Sequence, residues 1–213
     1  MPNFSLVIFD FDGTLADSFP WFILSLDQTT EHFGLKRVDP AEIESLRHMS
    51  SRDVLTHLGV PMLKIPAIAI YMRNIFAEAM HDIPMFAGAG EMLAALHMGG
   101  VKLAVVSSNG ESNVRHVLGD AAALIDHYAC GSSLFGKAQK FGAVLRALRQ
   151  SPARTLGVGD EIRDIEAARQ AGLSAGSITF GYNARAALES HTPEYLFDDY
   201  ESLERAVLGA SET

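Results

Sequence analysis

Two pairs of aspartates in this 213-residue chain have the spacing of residues that act together. Asp10 and Asp12 are separated by one residue and follow an apolar run typical of a buried strand. Asp160 and Asp164 follow a second such run and lie four positions apart, on one face if a helix begins there. Aspartate is also common in turns, so the first pair alone fits a turn as well as catalysis. The recurrence favours a shared site, because the strand ends of an open parallel sheet meet in one crevice.

Several carboxylates in one crevice would repel one another. Two like charges about 4 Å apart repel by about 4 kcal/mol at an effective dielectric constant of about 20. Such groups take up protons or bind a cation. Hard oxygen ligands without His or Cys companions suit Mg²⁺, so these acids predict a magnesium site.

The elements that would position these acids alternate along the chain. Apolar runs typical of strands occupy residues 6–9, 101–106, 155–158, 175–179 and 195–197. Helical apolar spacing occupies residues 90–98, 112–118, 137–149, 162–171 and 201–208. This alternation predicts an α/β fold in which helices cover both faces of a Rossmann-like parallel sheet.

Residues 16–85 interrupt the alternation. Their apolar side chains recur at helical spacing, Pro40, Pro61 and Pro66 separate the segments, and no run is typical of a strand. We therefore predict an α-helical insert after the first strand, with a core formed by residues 1–15 and 86–213. The alternative is a single domain with these helices along one side.

Composition excludes several classes of protein. The formal net charge of −9 gives an acidic surface that repels phosphate backbones and anionic lipid, so we expect no nucleic-acid or membrane partner. No segment approaches the roughly 20 apolar residues that span a bilayer. The single cysteine, Cys130, cannot form an internal disulfide, so a cytoplasmic location is expected. The sequence does not decide between a monomer and a homodimer.

Four ordered motifs resemble those of the haloacid dehalogenase superfamily, and within it the phosphoglycolate phosphatase-like proteins with a helical cap. They are Asp10-Phe-Asp12-Gly-Thr-Leu, Val105-Val-Ser107-Ser-Asn109, Gly136-Lys137 and Val158-Gly-Asp160-Glu-Ile-Arg-Asp164. The runs Phe180-Gly-Tyr-Asn183 and Pro193-Glu-Tyr-Leu-Phe197 are similar to that group's C-terminal loop and strand. The resemblance implies a Rossmann-like core with an inserted cap, and a Mg²⁺-dependent phosphatase that acts on a small phosphorylated metabolite.

The resemblance also implies roles for the acids. Asp10 would attack the phosphorus of a phosphomonoester and become an aspartyl phosphate. Asp12 would protonate the departing alcohol and then take a proton from the attacking water. Asp10, the backbone carbonyl of Asp12, Asp160 and Asp164 would hold the Mg²⁺.

A lysine and several polar residues complete the implied site. Lys137 would supply the cation beside the phosphoryl group, with Lys140 as the alternative, because the proline that usually follows the motif lysine is missing. The assignment to Lys137 depends on the preceding Phe135-Gly136 and on spacing. The expected substrate-binding residues are Thr14, Ser107, Ser108, Asn109 and, in the cap, Arg52. Glu161 either supports the acidic site or begins a helix, and its position favours the helix. Arg163 is expected to serve the helix or an ion pair rather than to bind substrate.

Three other functions stay open at this stage. A phosphomutase of sugar phosphates would share the core, and its cap would favour phosphate transfer between sugar hydroxyls over transfer to water. A haloacid dehalogenase would also use Asp10, but its ester intermediate needs neither a metal nor an acid at Asp12. A non-enzymatic module that binds a phosphorylated effector is disfavoured, since binding alone does not require Asp10, Asp12, Lys137 and Asp160 together.

Overall fold

The computed structural model describes residues 2–131 and 136–209. Six strands lie in this part of the chain: β1 Leu6–Phe9, β2 Lys102–Val106, β3 His127–Ala129, β4 Thr155–Gly159, β5 Ser174–Ile178 and β6 Tyr195–Phe197. The α-helices there are α1 Phe19–Phe33, α2 Ile43–Leu46, α3 Ser51–His57, α4 Ile65–Ala79, α5 Ala89–Met98, α6 Glu111–Leu118, α7 Lys137–Leu148, α8 Ile162–Gln170, α9 Arg185–Ser190 and α10 Tyr200–Leu208. Short 3₁₀ turns occupy Pro40–Glu42, Met62–Lys64, Met80–Asp82, Gly119–Leu124 and Pro152–Arg154. These elements confirm the predicted α/β class.

The strands form one parallel sheet in the order β3-β2-β1-β4-β5-β6. The strand order reverses at β1, which pairs with β2 on one side and with β4 on the other. Phe9 of β1 lies opposite Val105 of β2 and Val158 of β4. The residues that follow these three strands therefore emerge at nearly the same level, at the switch point where open α/β sheets bind ligands.

Helices cover both faces of the sheet because strand side chains alternate between them. Leu6 and Ile8 of β1 face a cluster that includes α7 and α8 residues, whereas Val7 and Phe9 face one that includes α5 and α10 residues. All four side chains are fully buried. Burial on both faces explains why β1 is a continuous apolar run rather than an alternating one.

The segment between β1 and α5 is helical and lies outside the sheet. Ala16 and Met85 form an antiparallel bridge, so the chain leaves the sheet region and returns to it side by side. The amide of Asp17 donates to the carbonyl of Pro84 at 2.9 Å, and the amide of Phe86 donates to the carbonyl of Leu15 at 3.0 Å. These two paired segments of the chain connect the helical segment to the sheet domain. The domain boundaries at 15/16 and 85/86 stay a prediction.

Every strand expected from an apolar run is present, with ends shifted by at most one residue. The short elements β3 and α9 were not predicted. The half-buried edge strand β3 has the sequence His-Tyr-Ala and carries no apolar run, and α9 spans six residues, fewer than two turns. Phe135 lies outside the described residues.

Among the described residues, no single helix is long and apolar enough to cross a bilayer. One pair of helices, Ser51–His57 with Met62–Asp82, passes the length and composition test jointly but is bent by 118°.

Candidate active site

Asp10 is the first residue after β1, and its side chain is 4% exposed. Its amide donates to the carbonyl of Val158 at 2.8 Å, which extends the pairing with β4 by one residue. Lys137, the first residue of α7, places its Nζ 2.8 Å from Asp10 Oδ2 and 2.5 Å from Asp164 Oδ1. Burial works to lower the pKa of Lys137, but the two carboxylates outweigh it and raise that pKa, so the ammonium stays charged.

Asp160 is fully buried and is held by two neighbouring chain segments. The hydroxyl of Thr14 donates to its Oδ1 at 2.7 Å, and the amide of Tyr182 donates to its Oδ2 at 2.8 Å. Burial, together with the charges of Glu161, Asp164 and Asp10, raises the pKa of Asp160 well above its usual value. The hydroxyl of Thr14 is directed to Asp160, and Thr14 does not line the cavity described below. Its role as a substrate contact stays a prediction.

Asp164 shares a capping box with Glu161 at the start of α8. Its Oδ2 accepts hydrogen bonds from the amides of Asp160 at 3.1 Å and Glu161 at 3.0 Å. Burial works to raise the pKa of Asp164, but the cations of Lys137 and Arg163 outweigh it, so the pKa lies below its usual value. The expected helix start at Glu161 is confirmed.

The carboxylates of Asp10, Asp160 and Asp164 fit a divalent cation. One oxygen from each lies within 4.8 Å of the others, and all three residues are buried. The three carboxylates and the one ammonium of Lys137 leave two negative charges uncompensated when all are ionised. Carboxylate oxygens without histidine or cysteine are the donor set that Mg²⁺ prefers. The carboxylate of Asp12 is not a member of this cluster.

The carboxyl group of Asp12 has a raised pKa. Burial and the charge of Asp10 raise its pKa to about 7. The side-chain amide of Asn109 lies 3.4 and 3.5 Å from its two carboxylate oxygens. A carboxyl group that titrates near neutral pH can both give and accept a proton there.

The second motif supplies a polar turn after β2. The hydroxyl of Ser107 accepts a hydrogen bond from the amide of Asn109 at 2.9 Å, and the Asn109 side chain accepts one from the amide of Gly110 at 2.8 Å. The side-chain amide of Asn113 also donates to Asn109 at 2.9 Å. These contacts fix the turn beside Asp12.

A small, partly open cavity lies beside Asp10. Its lining residues are Asp10, Val106, Ser107, Ser108, Lys137, Lys140 and Arg163. Lys140 lines it too, but its Nζ donates to the carbonyls of Ser107 at 2.7 Å and Ala129 at 2.8 Å rather than to a carboxylate. Three cations in one cavity suit an anionic ligand.

The helical segment contacts the loop after β5, whose Tyr182 amide also holds Asp160. Arg47 donates from Nε to the carbonyl of Tyr182 at 3.0 Å and from Nη2 to the carbonyl of Gly181 at 3.1 Å. The side-chain amide of Asn183 donates to the carbonyls of Arg47 at 2.7 Å and Met49 at 2.9 Å. Sequence reasoning missed these contacts, and the only signal for them was the Phe180 to Asn183 run.

Arg52 lies on the exposed surface of α3 and does not line the cavity. A different arginine of the helical segment, Arg73 on α4, approaches the second motif, with its Nη1 3.5 Å from the carbonyl of Ser108. The proposed contact between Arg52 and substrate stays a prediction.

Replacing Gly13 by alanine is expected to displace Asp160 and to lower activity by about tenfold or more. Gly13 has φ +76°, and a Cβ there would collide with Asp160 Oδ2 and Tyr182 Cδ1. The backbone strain alone costs about 1–2 kcal/mol. Activity, metal affinity and the free energy of unfolding would be measured together.

Gly34→Ala is the matched control for this substitution. Gly34 also has positive φ, +59°, but a Cβ there has nothing within 4 Å. We expect the loss of stability from backbone strain alone, about 1–2 kcal/mol, with unchanged activity. Equal activities of the Gly13→Ala and Gly34→Ala proteins would contradict the expectation that the space beside Gly13 keeps Asp160 in place.

The model of the family described as haloacid dehalogenase-like hydrolase matches residues 7–178 of this chain. A phosphoglycolate phosphatase of Synechococcus elongatus is 30% identical over 203 residues, which cover 94% of this chain and 96% of that protein. A phosphoglycolate phosphatase of Pseudomonas putida is 27% identical, with 93% of this chain and 78% of that protein covered. The crystal structure of a predicted phosphoglycolate phosphatase from Haemophilus somnus is 25% identical, has a TM-score of 0.75, and matches over 95% of this chain and 97% of its own.

The family match spans all four motifs, from the strand before Asp10 to the strand after Asp164. The relatives cover nearly the whole chain, including the helical segment between β1 and α5. The chain therefore belongs to the haloacid dehalogenase-like hydrolase family.

Proposed function

We propose that this protein is a Mg²⁺-dependent phosphatase that hydrolyses a small phosphomonoester through an aspartyl phosphate on Asp10. The observation that carries the proposal is the convergence of Asp10, Lys137 and the acids Asp160 and Asp164 beside one cationic cavity at the switch point of the sheet. The relatives named phosphoglycolate phosphatase support the reaction class and suggest phosphoglycolate as the first substrate to test.

In the first step, a carboxylate oxygen of Asp10 forms a bond to phosphorus while the bond between phosphorus and the leaving oxygen breaks. The electron pair goes to the leaving oxygen, which receives a proton from Asp12. In the second step, Asp12 takes a proton from water, and the oxygen of that water attacks phosphorus. Inorganic phosphate leaves and the Asp10 carboxylate is regenerated.

Lys137 holds Asp10 in position through both steps and places positive charge where the phosphoryl group transfers. Asp10, Asp160, Asp164 and the backbone carbonyl of Asp12 are the groups that would hold Mg²⁺. When bound, Mg²⁺ supplies positive charge that offsets the repulsion between an anionic nucleophile and an anionic substrate.

The helical segment of residues 16–85 would act as the cap. Two of its arginines contact opposite sides of the site. Arg47 contacts the loop after β5, and Arg73 contacts the turn after β2. A closed cap would exclude bulk water during transfer from substrate and would choose the leaving group.

A screen of phosphorylated metabolites, including phosphoglycolate, a hexose phosphate and p-nitrophenyl phosphate, tests the proposal. We expect phosphate release that depends on Mg²⁺. Removal of the metal by EDTA should lower kcat by about 100-fold or more, because the ion contributes several kcal/mol of charge stabilisation. Restoration by added Mg²⁺ is the control.

The same screen separates the other functions. Isomerised sugar phosphate without release of phosphate would identify a phosphomutase, and halide release from haloacids in EDTA would identify a dehalogenase. Absence of hydrolysis across the panel with Mg²⁺ present would contradict the proposal in favour of a binding module.

A further inference from the structure

Arg163 lines the cavity beside Asp10, although its ion pair with Glu161 does not require it to lie there. It lies in the first turn of α8, where the positive end of the helix disfavours a cation. Its side chain is 26% exposed and shares the cavity wall with Asp10, Ser107 and Lys137. Its Nε is buried and donates no hydrogen bond to the described residues. A buried N–H group without an acceptor is costly, so the ion pair with Glu161 does not satisfy all the donors of this side chain.

Glu161 joins this arginine to the helical segment. One carboxylate oxygen of Glu161 pairs with Nη2 of Arg163, and the other accepts a hydrogen bond from the hydroxyl of Ser51. Ser51 is the first residue of α3, which lies between β1 and α5. Glu161 is also the N-cap of α8, so its backbone is fixed beside Asp160. The contact from Ser51 to Glu161 to Arg163 therefore runs from the proposed cap to the cavity.

We propose that Arg163 binds an oxygen of the substrate's phosphoryl group, and that Glu161 and Ser51 position it for that contact. The inference rests on the proposed function and names residues of the same site. A guanidinium presents five N–H donors in a plane, which matches two oxygens of a phosphate better than an ammonium does. Glu161 accepts from Nη2 alone and balances the charge of Arg163 in the free enzyme. Arg163 is the binding residue, and Glu161 and Ser51 are positioning residues.

Binding of inorganic phosphate, followed by ³¹P NMR in MgCl₂, tests the role of Arg163 without relying on turnover. Arg163→Gln should weaken phosphate binding by about tenfold or more. Arg163→Lys should weaken it less, because lysine keeps the charge but lacks the planar set of N–H donors that can bind two phosphate oxygens. In steady-state kinetics KM should rise with little change in kcat, since the contact exists before and during transfer. Thermal unfolding would establish that both variants are folded.

The positioning role is tested in the cap. Ser51→Ala should weaken phosphate binding by about threefold, and Ser51→Thr, which keeps the hydroxyl, should restore it. Ser50→Ala is the matched control, because Ser50 caps α3 through Asp53 and makes no contact with Glu161. In the Arg163→Gln background, Ser51→Ala should have no further effect, since coupled residues are non-additive.

Wild-type affinity for phosphate in Arg163→Gln, alongside normal hydrolysis by the wild-type protein, would overturn this inference and leave the proposed function standing. Additive effects of Ser51→Ala and Arg163→Gln, or equal effects of Ser51→Ala and Ser50→Ala, would overturn the positioning role. Phosphate binding that needs Arg163 in a protein that hydrolyses nothing on the panel would support the inference and contradict the proposed function.

Discussion

Replacing Asp10 by asparagine is expected to lower kcat by about 10⁴-fold or more, because the amide lacks the nucleophilic oxygen that forms the acyl phosphate. The fold should persist. Lys137 keeps its 2.5 Å contact with Asp164, and one fewer carboxylate lies beside Asp160. We therefore expect the free energy of unfolding to change by no more than about 1 kcal/mol. Initial rates and thermal unfolding would be measured on the same preparations.

Asp27→Asn is the matched control for this change. Asp27 lies on α1, is 60% exposed and pairs with Arg37 at the surface, so the same substitution should leave kcat and KM unchanged. Acid quenching during turnover of ³²P-labelled substrate adds a direct observation. Label should be retained on the wild-type and Asp27→Asn proteins and be absent from Asp10→Asn. Substantial hydrolysis by Asp10→Asn would refute the assignment of the nucleophile.

Replacing Lys137 by methionine is expected to reduce both activity and stability. The Lys137 side chain is 14% exposed, and removal of its ammonium leaves the carboxylates of Asp10 and Asp164 buried without this direct partner. Loss of one member of a buried ion pair costs about 3–5 kcal/mol. Loss of a positioned charge at the reacting group lowers kcat by about 100- to 1,000-fold. Denaturant unfolding in EDTA and steady-state rates in Mg²⁺ would measure the two effects separately.

Lys140→Met is the comparison for Lys137→Met, because the sequence does not decide which lysine lies beside the phosphoryl group. The Lys140 ammonium contacts backbone carbonyls, not the nucleophile, and burial lowers its pKa. Its loss should therefore affect kcat less than tenfold. Lys102→Met, at an exposed pair with Asp126, controls for removal of a lysine and should leave kcat unchanged. A larger fall in kcat for Lys140→Met than for Lys137→Met would reverse the assignment.

Much of the fold follows from short-range patterns. A parallel strand covered on both faces must be continuously apolar, so β1, β2 and β4 are visible in the sequence, as are the carboxylates placed directly after β1 and β4. β3 is not visible, because an edge strand that is half-buried and three residues long needs no apolar run.

The order of the four motifs also follows from the sequence, because each motif is a local run of residues whose chemistry does not depend on distant contacts. That order indicated the family, which the family match shows. It also predicted that Asp10, Asp160 and Asp164 lie together, as they do in the structure. The helical segment was likewise predicted from its spacing of apolar residues and from the absence of a strand pattern.

Only the tertiary structure decided which side chains share a cavity and which partners they take. Lys137 and Lys140 lie one helical turn apart, and their sequence positions do not show that one reaches Asp10 while the other reaches the carbonyl of Ser107. The hydroxyl of Thr14 donates to Asp160, and Arg163 both pairs with Glu161 and lines the cavity. These outcomes depend on contacts between residues far apart along the chain, and the packing of the helices on the sheet sets those contacts.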